Sequence, residues 1–186
     1  MIRLSYGPET VQFGELHLPA GSGPFPTVIL IHGGFWRNPY GYTLMTSLAE
    51  DLAKRGIAAW NIEYRRVGDA GGGWPSTLLD VARAADYLRT IAHNYSLDVQ
   101  RVVAVGHSAG GHLALWLAAR PRIPEDSILA AGKGKEASAI PLPLMGVVSQ
   151  AGVADLEMAW RRNLGNGAVA ELLGGLFKAR STVRFL

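Results

Sequence analysis

Apolar residues recur along this chain in two rhythms, and the two alternate. In "VQFGELHLP" (11–19) apolar and polar residues take turns, the pattern of a half-buried strand. "TVILIHGG" (27–34) is a short, wholly apolar, β-branched run, as in a strand buried on both faces; "IAAWNIEY" (57–64) and "MGVVSQAG" (145–152) read as further buried strands and "RVVAVGHS" (101–108) as another strand. Between them the period lengthens. Over 42–55, Leu44, Leu48 and Leu52 share one helical face and Gly56 supplies a stop. From Ser76 to Ala92, Leu78, Ala82, Ala85 and Leu88 form a stripe behind Pro75, a residue that suits a helix start. Residues 109–120 predict a helix halted by Pro121, and 121–143 a loop with one helical turn.

Buried strands separated by amphipathic helices predict an α/β fold, a mostly parallel sheet with helices on both faces. In such sheets, sites form in the loops at the carboxyl ends of the strands. Three of those loops have unusual sequences: "HGGFW", "EYRRVGDAGGGWP" and "GHSAGG".

Composition narrows the field. The 186 residues suffice for one domain with a real core. There are no cysteines, which excludes disulfides and a thiol nucleophile. Residues 1–175 carry equal numbers of acidic and basic side chains, so the net charge of +3 resides in Lys178, Arg180 and Arg184. A charge-neutral body offers no footprint for nucleic acid. The expected division is a domain over 1–175 and a basic tail over 176–186. No uninterrupted apolar run reaches membrane-spanning length and no signal-peptide core opens the chain, so the expectation is a cytoplasmic protein with no membrane partner.

Gly106-His107-Ser108-Ala109-Gly110 fits G-x-S-x-G between a strand and a helix, the context a nucleophile elbow needs. The alternative for Ser108 is a helix cap. "IHGGFW" supplies glycines whose backbone can turn N–H groups toward a developing oxyanion, although an ordinary glycine turn reads the same way. His107 and His112 do not form H-E-x-x-H, so no zinc is expected. His112, one helical turn after Ser108, reads as structural, as do His17 and His93. His32 is expected to hold the glycine loop. Gly165 to Ala170 matches a dinucleotide pattern, but no buried strand precedes it. No cofactor is expected.

Together, "HGGFWRNPYG", "WNIEYRRVGDAGGGWPSTLLDV" and "GHSAGGHLALWLAAR" resemble the α/β-hydrolase superfamily, and within it the small esterase and kynurenine formamidase (arylformamidase)-like branch, over about residues 10–175. The resemblance implies a serine hydrolase of small carboxylic esters or N-formyl aromatic amides. It implies Ser108 as nucleophile and Gly33, Gly34, Phe35 and Ala109 around the oxyanion hole. Trp36, Tyr64, Trp74, Pro75 and His107 would shape the substrate pocket, while Trp60 and Trp116 read equally well as core.

The superfamily places its acid and histidine after the serine. Of the residues after Ser108, one is a histidine, His112; Asp126 lies in a loop, and Asp155 opens a lid-like segment. The sequence therefore predicts a fold lacking its last strands, with no general base and with an exposed sheet edge suited to a homodimer. Two rivals stay open: an impaired remnant that binds small ligands or a partner, and a second chain that supplies the histidine.

Overall fold

A computed structural model describes residues 1–132 and 140–175; the expected basic tail at 176–186 lies outside the described residues. Six strands form one sheet: β1 (Ile2–Ser5), β2 (Phe13–His17), β3 (Phe25–Ile31), β4 (Ala58–Ile62), β5 (Leu97–His107) and β6 (Gly146–Gln150). Their spatial order is β1-β2-β4-β3-β5-β6. β4, β3, β5 and β6 run parallel, β2 pairs antiparallel with β4, and β1 pairs antiparallel with β2. The sheet is thus mostly parallel, as the alternating pattern predicts.

Helices α1 (Thr46–Lys54), α2 (Ser76–Asp86), α3 (Leu88–Ile91), α4 (Ala109–Ala119), α5 (Leu156–Arg161) and α6 (Ala168–Leu172) connect and cover the strands. The larger core joins Ile29, Trp60, Val81, Leu88, Val102 and Leu113. Trp60 is fully buried and its indole N–H donates to the carbonyl of Ala84 at 2.9 Å, which resolves it as core. A smaller cluster of Leu30, Met45, Ala49 and Ala59 seats α1 on the other face.

Four local expectations are corrected. Residues 42–45 form a 3-10 turn, so the α1 stripe rotates: Met45 and Ala49 are buried while Leu44 is 57% exposed. The helix foreseen to Ala92 breaks after Asp86 and resumes as α3. β2 is buried over Gly14–His17 rather than half-buried, because β1, absent from the pattern, pairs along its outer edge. "GVVSQ" is not buried: among the described residues β6 is the outermost strand, and Val148 is 47% exposed. An apolar run cannot by itself distinguish a central strand from an edge strand, because position in the sheet is set by long-range pairing.

Candidate active site

β5 runs straight into α4, and Ser108 sits at the junction with φ 54° and ψ −116°. A non-glycine residue pays a steric cost in that region, and such strain persists where the surroundings over-determine it. Here they do. The Ser108 amide donates to the Gln150 carbonyl at 2.8 Å, and its own carbonyl accepts from the amides of His112 at 3.2 Å and Val153 at 3.4 Å. The turn is sharp enough that a side chain at Gly106 would collide with the backbone of Gly110. The helix-cap alternative for Ser108 is not realised, since its side chain makes no cap hydrogen bond.

The glycine loop lies directly against this turn. A methyl group at Gly33 would stand 2.7 Å from the His107 carbonyl and 3.2 Å from Ser108 Cβ. Gly34, Phe35 and Trp36 follow with φ of 109°, 55° and 57°, a run of left-handed residues. Arg37 pins the far end of the run. Its guanidinium makes two hydrogen bonds to the Glu171 carboxylate, at 2.7 and 3.0 Å, and a third to the Asn166 carbonyl at 3.2 Å. The amides of Gly33, Gly34, Phe35 and Ala109 have no hydrogen-bond partner among the described residues. Unpaired amides beside a half-buried hydroxyl at the edge of a cleft are what an oxyanion would require.

His32 anchors the loop from below. Its Nδ1 lies 2.8 Å from the Gly33 carbonyl and its Nε2 2.9 Å from Glu63 Oε1. Its ring stacks on Tyr64, at 4.4 Å and 9°. Glu63 also accepts from the amides of Tyr64 and Tyr42 and from Arg66, so four donors converge on one buried carboxylate. Both ring nitrogens of His32 thus face oxygen acceptors, which holds the imidazole in place. Glu63 was not singled out in the sequence. The available signal was a lone carboxylate at the end of an otherwise apolar strand.

The cleft at Ser108 has a volume of about 580 Å³ and is walled by Phe35, Tyr40, Leu44, Met45, Leu48 and His107, with Gly34 and Gln150 completing the rim. Of the expected pocket residues, His107 lines it. Trp36 and Tyr64 do not: both are fully buried, so their assignment to a pocket wall is corrected to packing. The Tyr64 hydroxyl donates to the His32 carbonyl at 2.9 Å, and burial pushes its pKa far above the ordinary value. Trp36 meets the His112 ring edge-on at 5.5 Å. Trp74 lines a different cavity, together with His112 and Trp116. Tyr40, within "HGGFWRNPYG", and Gln150, at the end of β6, are cleft residues that the sequence did not single out.

Among the described residues no side chain hydrogen-bonds the Ser108 hydroxyl. His32 is committed to Gly33 and Glu63. His112 lies in the separate cavity, and burial lowers its pKa to about 4. Asp155 caps α5, accepting from the Met158 amide at 2.8 Å. Among the described residues no helix is long and apolar enough to cross a membrane, and no histidine or carboxylate cluster could hold a metal.

Comparison with known proteins gives this arrangement a family setting. A family model described as BD-FAE matches residues 15–183. Kynurenine formamidase avaC of Aspergillus versicolor is 32% identical over 145 residues, covering 70% of this chain and 44% of that protein. The probable carboxylic ester hydrolase LipM of Mycobacterium tuberculosis is 30% identical over 103 residues, 55% of this chain and 23% of that protein. The solved structure of an inhibited esterase B from Lactobacillus rhamnosis superposes with a TM-score of 0.76 at 23% identity, over 94% of this chain and 57% of that one. The chain thus spans less than half the length of these curated relatives.

Proposed function

Because the chain belongs to the BD-FAE family, within the α/β-hydrolase superfamily, we propose that it is a serine hydrolase of small carboxylic esters or N-formyl aromatic amides, acting through an acyl-enzyme on Ser108. The observation that carries this reading is the left-handed backbone of Ser108, held by Gln150 and Val153 beside the unpaired amides of the glycine loop. In the proposed reaction Ser108 Oγ adds to the substrate carbonyl carbon and its hydroxyl proton passes to the leaving oxygen or nitrogen. The amides of Ala109 and of the 33–35 loop bind the oxyanion while the C–O or C–N bond breaks and the alcohol or amine departs. Water then adds to the acyl carbon, the bond to Ser108 Oγ breaks, and a proton from that water returns to Oγ as the acid leaves. The apolar walls of the cleft suit an aliphatic or aromatic acyl group, because binding there removes apolar surface from water.

A second reading is an impaired hydrolase that binds small ligands but turns them over slowly. It is favoured by one observation: among the described residues no imidazole reaches the Ser108 hydroxyl. An elbow and oxyanion hole acting without a base retain roughly 10³–10⁴-fold catalysis over water.

Hydrolysis of p-nitrophenyl butyrate and of formanilide, with Ser108→Ala as control, tests the proposal. The expected result is steady turnover by the natural chain and none above background by the variant. Equal rates for the two proteins would refute it. A stoichiometric burst of p-nitrophenol, with the acyl group retained on Ser108 by mass spectrometry and no steady phase, would select the second reading.

A further inference from the structure

His112, Trp116 and Ala119 lie at helical spacing on one stripe of α4 and face a second cavity of about 210 Å³. It shares no residue with the cleft at Ser108. Trp74 closes it from the loop before α2, Leu78 from α2, Leu156 from α5, and Leu172 and Leu173 from the end of α6. The walls are apolar apart from the His112 ring and a rim that includes Ser127 and Arg122.

Size and chemistry select the occupant. An apolar cavity of about 150 Å³ stays dry and accepts benzene, so this one has room for a single aromatic ring and a small substituent. Tryptophan rings favour an aromatic guest through edge-to-face and stacked contacts. The polar feature is specific. His112 is 6% exposed, and its Nδ1 is buried without a hydrogen-bond partner. The other ring nitrogen, Nε2, is also without a hydrogen-bond partner among the described residues but is not closed off, so a hydroxyl in the cavity can pair with it. Burial keeps the imidazole neutral, with its pKa lowered to about 4, so it suits a neutral hydroxyl better than a carboxylate.

We propose that this cavity is a binding site for a small neutral phenol, its ring between Trp74, Leu78 and Trp116 and its hydroxyl on the His112 imidazole, separate from the cleft at Ser108.

The test titrates the full chain with 4-fluorophenol and with fluorobenzene at neutral pH, followed by fluorine NMR. Saturable one-to-one binding is expected, with the phenol held about tenfold more tightly than fluorobenzene, the worth of one hydrogen bond. His112→Phe should abolish that preference while keeping fluorobenzene bound. Ala119→Phe should exclude both probes by filling the cavity, and Ser108→Ala should leave both affinities unchanged. Should either His112→Phe or Ala119→Phe fail to fold, a phosphonate that blocks Ser108 in the natural chain decides the same point: both probes stay bound. The proposal is overturned by the absence of saturable binding, by an equal phenol preference in natural chain and folded His112→Phe, or by displacement of the probes by the phosphonate. None of these readouts needs turnover, so they separate from the test of hydrolysis.

Discussion

Gly110, in the first turn of α4, packs so closely against the carbonyl oxygen of Ile31, the last residue of β3, that a methyl group has no room between them. This contact brings the Ser108 turn and the glycine loop together, because Ile31 leads straight into His32 and Gly33.

Gly110→Ala is expected to destabilise the fold, against its own helix propensity. Alanine in a helix interior is ordinarily favoured over glycine by about 1 kcal/mol. Here the added methyl meets backbone, which cannot swing aside, and overpacking of this kind costs about 3 kcal/mol. Urea denaturation should show a lower midpoint with an unchanged slope. A rise in midpoint would mean that α4 and β3 are further apart than described.

Glu63→Gln is expected to act on catalysis through His32. The amide keeps the shape but replaces one acceptor oxygen with a donor, and Glu63 serves four donors. A His32 ring released from Glu63 lets the Gly33 carbonyl, and with it the loop amides, drift. Misplaced donors cost roughly 10- to 100-fold in rate. On the proposed reaction, kcat should fall by that range with KM little changed, measured well below the variant's melting temperature. An unchanged kcat would remove Glu63 from the positioning of the loop.

His112 should make the fold acid-sensitive. Its pKa falls from 6.5 to about 4 on folding, because burial penalises the charged ring. The unfolded chain therefore binds the proton more readily, and stability contributed by this residue is complete above pH 6.5 and lost as pH falls toward 4. The full difference is on the order of 3 kcal/mol. Natural chain and His112→Phe should accordingly diverge in unfolding free energy between pH 6.5 and 4, with the natural chain losing more. Parallel pH profiles would contradict this assignment.

Asp80 is expected to be a stability residue with no part in the cleft. It is 1% exposed and accepts from Gln12 at 2.6 Å, from the Arg65 side chain at 2.7 and 2.8 Å and from the Arg65 amide at 3.0 Å. Asp80→Asn leaves the guanidinium without its counter-charge, a change worth about 3 kcal/mol when a buried pair is broken. The melting temperature should drop while KM for the proposed substrates holds. A raised KM at unchanged stability would count against the assignment.

The parts legible in the sequence are those set by local chemistry. Short apolar runs marked β3, β4 and β5 because such residues fit a sheet buried on both faces. G-x-S-x-G marked Ser108 because that turn tolerates few side chains around it, and the structure gives Ser108 the left-handed backbone such a turn requires. What the sequence could not determine depends on which distant segments meet. Trp36 and Tyr64 share motifs with the glycine loop and the "EYRR" segment, yet their rings turn inward, against His112 and His32. Glu63 and Gln150 acquire their roles from pairing and burial, properties that neither residue carries in its own neighbourhood of sequence. Local steric and periodic constraints thus wrote the elements and the sharp turn at Ser108 into the chain, whereas the tertiary structure alone decided what surrounds them, because burial and hydrogen bonding are properties of residues brought together from far apart.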